Sequence, residues 1–415
     1  MERHRLRLPV AVAATVAAAA LATFALRPRT GLIEPAAVDP QAYFSPAELE
    51  RAREFRGPQR ALGLAGLVVS GGILAVLALR PPRRVRRALE AAGRRPLGGG
   101  AAAGAAISVV LVAATLPLDA VGHARAVAVG LSTQGWGAWL GDVGKATAVG
   151  AVFAGAGAGG VLALVRRFPR RAWIPGSVIA VALSAGFVFL SPLVLEPLFN
   201  RFTPLPRGEL RTEVLELAER AGVEVGEVFR VDASRRTTGA NAYVGGLGST
   251  KRVVLYDTLL ERFPPDQVRS VVAHELGHVE GRDLLRGLAW LAIVSPAALF
   301  LAQALAERVQ GRGHGGEARL PATPAALPAI ALSLALVSFA VGAAGNVLSR
   351  EVEARADGFA LRLTEEPEAF IGLERGLSVS NVSEPDPPEA WHLLLGTHPT
   401  TVERIGFGLA FGRER

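Results

Sequence analysis

Hydrophobic and polar positions alternate along this chain on the scale of a membrane. Seven stretches, from Leu8 to Leu26, Ala61 to Leu79, Leu97 to Leu118, Ala146 to Val165, Ala172 to Leu195, Gly287 to Ala306 and Ala325 to Ala344, are nearly free of charge. Each is long enough to cross about 30 Å of hydrocarbon, which takes about 20 helical residues. The first follows Arg3, Arg5 and Arg7, as a signal peptide would. Its apolar run is longer than such a leader needs, so it reads as a retained helix.

Two polar stretches interrupt the pattern, one from about Glu196 to Asp283 and one from the end of the seventh segment to Arg415. In the first, Leu210, Val214, Leu215 and Leu217 alternate with Arg211, Glu213 and Glu216 at helical spacing and predict an amphipathic helix. Strand-like runs follow at Val228 to Val231 and Arg252 to Tyr256. Between them Asn241-Ala242-Tyr243-Val244, ending at Gly245-Gly246, reads as a third strand. Pro264-Pro265-Asp266 then opens a further helix. The fold class is therefore predominantly α: a polytopic bundle of about seven transmembrane helices joined to a polar domain with a small β-sheet. The expected division places a transmembrane region at 1–195 and a second region at 196–415, the latter including the spans at 287–306 and 325–344.

Composition sharpens this reading. Half of the 415 residues are hydrophobic, and the glycines at Gly98-Gly99-Gly100 and from Gly155 to Gly160 allow two membrane helices to approach closely. The net charge of +8 comes almost wholly from arginine, since Lys145 and Lys251 are the only lysines. Arginines that flank bilayer-length segments serve lipid headgroups and topology, so nucleic acid is not an expected partner and membrane lipid is. There is no cysteine, which excludes disulfides, thiolate ligands and a cysteine nucleophile.

The helix after Pro265 carries His274-Glu275-Leu276-Gly277-His278. Residues four apart share a helix face, so His274 and His278 can offer two imidazole nitrogens to one metal while Glu275 stands beside it as a base. With only seven histidines in the chain, such a pattern rarely arises by chance. A catalytic zinc needs a third protein ligand. The stretch after the seventh segment offers Asn346, Ser349, Arg350, Glu353 and Asp357 on one helical face, with Glu351 on another. Spacing leaves the choice among these open, since a charged helix face is more often simply solvated.

The combination of HELGH, a later SRxxExxAD and a His-Pro followed by Arg-Ile resembles the M48 family of zinc metallopeptidases, and within it the integral-membrane CAAX prenyl proteases. Phe199 to Leu205, Asp232 to Arg236, Asn241-Ala242-Tyr243 and Arg252 to Leu259 carry the same resemblance, which spans about Pro197 to Ile405. It implies a zincin-like domain with one Zn²⁺ per chain held by His274, His278 and Glu353, with Glu275 as general base. It further implies His398 and Arg404 as donors to the reaction's oxyanion, and Asp357 as a carboxylate that fixes the tautomer of a ligating histidine. The third loop, at Arg125 to Leu131, departs from the family pattern.

An exposed strand can hold an extended peptide through backbone hydrogen bonds, and the resemblance gives that use to Asn241, Ala242 and Tyr243. The expected substrate is a peptide or protein, prenylated or not. A quality-control or sensor peptidase and a membrane scaffold with a vestigial zinc site are the alternatives. Lys and Arg crowd the N-terminus and the loops near residues 80 to 96, 166 to 171 and 307 to 324, and are sparser near 27 to 60 and 119 to 145. The positive-inside rule thus puts the N-terminus in the cytoplasm and the catalytic segment outside. The resemblance implies the reverse. His4, His123, His314 and His392 lack a partner at ligand spacing and are expected to play no part.

Overall fold

The structure, a computed structural model, describes residues 2–246, 251–311 and 320–414. In chain order its helices and strands are α1 (Glu2–Leu26), α2 (Pro46–Leu79), α3 (Arg83–Ala92), α4 (Pro96–Ala128), α5 (Trp136–Arg167), α6 (Trp173–Leu190), α7 (Glu196–Phe199), β1 (Phe202–Pro204), α8 (Glu209–Arg220), β2 (Glu227–Val231), β3 (Ala242–Gly245), β4 (Arg252–Tyr256), α9 (Asp257–Arg262), α10 (Pro265–Glu280), α11 (Asp283–Gly311), α12 (Leu327–Thr364), α13 (Pro367–Ser380), α14 (Glu389–Leu395) and α15 (Thr401–Arg413).

Among the described residues, seven helices are long and apolar enough to cross a membrane: α1, α2, α4, α5, α6 with its continuation into α7, α11 and α12. Several run well past their apolar windows. Hydropathy marks only the part of a helix that lipid covers, whereas backbone hydrogen bonds carry α2 back through charged residues to Pro46, where Ser45 and Glu48 form a capping box. A π-helical turn at Ser191–Leu195, beginning just before Pro192, joins α6 to α7. Contacts run from α12 to α2, α4, α5, α6, α11 and back to α12, closing a ring, while α1 lies against α11 and α12. Trp290 of α11 donates its indole N–H to Thr23 of α1 at 3.1 Å.

Helices α4 and α5 share the most extensive of these contacts. A Cβ on Gly104 of α4 would stand 2.4 Å from the Ala158 Cβ and 2.7 Å from the Ala154 carbonyl of α5, so only glycine permits this approach. The glycine-rich stretches serve unevenly, because a Cβ on Gly98, Gly157 or Gly160 would meet nothing within 4 Å.

The polar half is built on a four-stranded mixed sheet in the order β1-β2-β4-β3. Its central pair, β2 and β4, is parallel, with Val228 opposite Val253 and Arg230 opposite Leu255, and β3 runs antiparallel to β4 at one edge. Strand β1, which the sequence pattern did not announce, is only three residues long and contains Pro204, as suits an edge. Val228, Val253 and Leu255 of the sheet, Val272 and Leu276 of α10, Leu361 of α12 and Phe370 of α13 are fully buried in one core. The N-terminal stretch interlocks with this half: Ala36 donates its N–H to the Gly406 carbonyl at 3.0 Å, and Phe44 and Leu49 bury with Ile371 and Ile405.

Replacing Gly104 by valine should overpack the α4–α5 contact and destabilise the protein by about 1 to 3 kcal/mol. Thermal unfolding in detergent should show a lowered midpoint for that variant and an unchanged one for Gly98→Ala.

Candidate metal centre

Helix α10 begins at Pro265, where a missing N–H costs nothing, and buries Val268, Val271, Val272, Ala273 and Leu276 in the core. That fixes which face is left for His274, Glu275 and His278. Helix α12 crosses α10 at Gly277, where an added Cβ would lie 3.3 Å from the Ala356 Cα and 3.1 Å from the Phe359 ring. Glycine in the middle of the motif therefore lets the two backbones come close enough for a side chain of α12 to reach both histidines.

That side chain is Glu353. Its Oε2 lies 3.2 Å from His274 Nε2, its Oε1 lies 3.6 Å from His278 Nε2, and the two Nε2 atoms are 3.1 Å apart. One ligand atom from each of the three residues lies within 4.8 Å of the others. Both Nδ1 atoms are engaged behind them, His274 with Asp357 at 2.8 Å and His278 with Asp283 at 3.0 Å. An Nδ1–H donated to each carboxylate leaves both Nε2 lone pairs pointing at the same place. Glu353 Oε2 is buried and accepts no hydrogen bond. Two imidazole nitrogens and a buried carboxylate oxygen converging on one point are a donor set that a divalent cation satisfies by displacing their protons, so the residues present fit a metal.

The apo electrostatics follow from the same packing. Burial alone would lower the His274 imidazole, but Asp357 and Glu353 outweigh it and raise it to about 10. His278 is raised to about 8, against the same effect of burial, by Asp283 and Glu353. Burial raises Glu275 above the ordinary carboxylate range despite the two histidines, and the Val244 backbone N–H donates to it. This contact sets Glu275 directly beside β3. The outer edge of β3 pairs with no strand among the described residues. Ala242 is buried and Asn241 exposed, while the Tyr243 hydroxyl donates to Glu196 at 2.6 Å and ties the strand to the end of the α6 span.

Helix α15 starts at a capping box of Thr400 and Glu403 and turns Arg404 inward. Arg404, expected from the resemblance as a donor to the oxyanion, places its guanidinium against Asp357, with Nε 2.8 Å from Oδ2, and against Glu374 at 2.8 Å. The paired carboxylates raise Arg404 further although burial opposes them, and burial holds Glu374 up at about 7 despite Arg404. His398 is the more exposed group, its Nε2 3.4 Å from Glu353 Oε1. Arg350 and Asn346 grip the segment that carries it, through the carbonyls of Gly396 at 2.7 Å and Leu394 at 2.8 Å.

Asp283 escaped the sequence reading. Positive φ at Arg282, 53°, bends the chain sharply between α10 and α11 and folds Asp283 back onto His278. Arg355 at 3.0 Å and Arg286 hold the carboxylate in place. A carboxylate just past Gly281-Arg282, one turn beyond the second histidine, was the available signal. His123 packs between Trp136 and Trp139, and His392 lies 3.9 Å from Glu403. His314 lies outside the described residues, as does the side chain of His4.

Residues 204–407 match the model of peptidase family M48. A protein of Bacillus subtilis (strain 168), described as uncharacterized metalloprotease YhfN, is 29% identical over 386 residues, covering 88% of this chain and 87% of that one. The CAAX prenyl protease 1 homolog of Oryza sativa subsp. japonica is 33% identical over 233 residues, and the match spans 52% of its length. The crystal structure of S. mikatae Ste24p superposes with a TM-score of 0.75 over 98% of both chains at 19% identity, which shows a common fold.

Removing the carboxylate behind an imidazole loosens its tautomer and orientation, and such changes typically weaken metal affinity about 10- to 100-fold. Asp283→Asn should do so here, read by competition with a chelating dye.

Proposed function

Because this chain belongs to peptidase family M48, we propose that it is a zinc endopeptidase at work in a membrane, with one zinc ion per chain held by His274, His278 and Glu353. The observation that carries this reading is the convergence of one ligand atom from each of His274, His278 and Glu353 beside Glu275 and beside the edge of β3, which pairs with no strand among the described residues. Two imidazoles and one carboxylate are a catalytic zinc set, because three protein ligands leave a position open. Zinc, when bound, supplies Lewis-acid activation of water and of a peptide carbonyl.

The chain's own residues do the rest. An extended substrate adds as a strand along β3 at Asn241, Ala242 and Tyr243, with Ala242, whose backbone alternates away from the β4 ladder, offering the hydrogen bonds that hold its carbonyl before Glu275. Glu275 accepts the proton of the attacking water as the C–O bond forms and the carbonyl oxygen takes up negative charge, then delivers that proton to the amine nitrogen as the carbonyl re-forms and the C–N bond breaks. His398, held at the rim by the Arg350 grip, donates to the oxyanion. Arg404 acts at one remove: it clamps Asp357, and Asp357 holds His274 Nδ1. The chain is an integral membrane protein, and its substrate is a peptide or protein. Relatives named CAAX prenyl proteases make a prenylated tail the first lipidated substrate to try beside a plain peptide.

Purified Glu353→Ala should lose its metal, because two protein ligands bind far more weakly than three. Full metal content in that variant would direct attention to Glu351. Glu275→Gln should keep the metal and cleave a quenched peptide about 100- to 10,000-fold more slowly, the usual worth of a general base. Turnover within a few-fold of the parent would remove Glu275 from that role. A comparison of prenylated and unprenylated forms of one peptide, by kcat/KM, decides whether lipid contributes to recognition.

A further inference from the structure

The two ends of the helix ring differ in how densely they carry exposed arginine. At the end nearer the metal centre, Arg51, Arg56 and Arg125 donate to the carbonyls of Val129, Val382 and Glu54, and Arg60 pairs with Glu384. These cations are occupied by the protein itself. At the other end, eleven arginines at positions 80 to 95 and 166 to 171 are all exposed. Among the described residues their one carboxylate partner is Glu90, 3.8 Å from Arg86.

This collar has a scaffold. Helix α3 lies across the end of the ring and buries Leu89, with Val85 beside it, against Ala103, Leu162 and Leu327. Arg83, Arg84, Arg86 and Arg87 are thereby turned outward. Arg170 and Arg171 stand in the connection between α5 and α6, where the same end of the ring continues.

Connections from one end to the other are unambiguous in the fold. Helix α2 starts where Glu48 meets Arg375 at 3.0 Å and ends at the collar. Helix α5 starts where the Thr133 N–H donates to the Arg236 carbonyl, and it too ends at the collar. Helix α11 starts at Asp283 behind His278 and ends near Glu307, which pairs with Arg7 at the start of α1. The metal centre and the collar therefore lie at opposite ends of the membrane-spanning ring.

Exposed arginines without carboxylate partners, fixed beside bilayer-length helices, seek phosphate-bearing anionic headgroups, and segments so charged stay on the cytoplasmic side during insertion. We infer that the collar is the cytoplasmic face, seated on anionic phospholipid, and that the metal centre with its β3 edge opens on the opposite side and takes polypeptides presented there. The inference rests on the peptidase reading for its substrate, but its orientation is tested separately. A substrate tail modified and displayed only in the cytosol is excluded by it.

The chain contains no cysteine, so single cysteines can report each side without background. Ala91→Cys marks the collar and Glu219→Cys, on the exposed face of α8, marks the peptidase half. Cells producing each full-length variant are treated with a membrane-impermeant maleimide before and after permeabilisation, and labelling is taken as the ratio of the two. Glu219→Cys should label fully in intact cells, and Ala91→Cys at least tenfold more after permeabilisation. The reverse pattern, or equal labelling of both sites in intact cells, overturns the orientation. Metal content and peptide cleavage are measured on the same two proteins. An active enzyme with inverted labelling refutes the orientation alone, whereas expected labelling without metal or cleavage refutes the peptidase reading alone.

Discussion

The approach of α12 to α10 at Gly277 is the constraint on which the rest of the site depends. Glu353 can face His274 and His278 only because the two backbones nearly touch there, with Ala356 as the counterpart across the contact. A larger residue at 277 would push α12 outward, and the same displacement would carry Asp357 away from His274. One small residue thus sets both the approach of Glu353 to the two histidines and the hydrogen bond behind His274.

The charges recruited around that contact cost a great deal to bury and are tolerated because each is answered. Asp357 is fully buried, yet it meets His274 and Arg404, and Arg404 in turn meets Glu374. Breaking one member of such a set strands its partners without solvent, which is more costly than never having built it. The set also joins α10, α12, α13 and α15, so His274 is positioned by the packing of four helices. Asp283 repeats the device for His278, with Arg355 and Arg286 as its cations.

Around this centre the membrane helices are packed sparingly. Apolar windows of α2, α4 and α6 bury almost nothing within the protein, while α4 and α5 are drawn together by glycine and alanine. In lipid the drive for association is close packing between helices, since apolar surface gains nothing by leaving the hydrocarbon. Polar loops then bind the ring to the sheet: Ser132 bridges Thr237, and Thr238 donates to the carbonyls of Leu131 and Gly130, just ahead of β3. The loop at 130–133 is here the support of the segment leading into the edge strand.

Much of this was legible in the chain because the determining patterns are local. Apolar runs of bilayer length announced seven helices, β-branched apolar runs and a Gly-Gly turn announced three of the four strands, and the four-residue spacing of His274 and His278 placed two nitrogens on one face. Strand β1 stayed silent, being three residues long with a proline, too short for alternation to show. The choice of Glu353 over Ser349, Arg350 or Glu351 depends on the crossing of α10 and α12, and helical spacing within α12 cannot express it. Asp283 is close to His278 in sequence but is brought to its Nδ1 by a positive φ at Arg282, a turn that no periodicity encodes. Likewise Arg404 pairs with Asp357 and Glu374, partners on two other helices, an arrangement that exists only once the chain is folded.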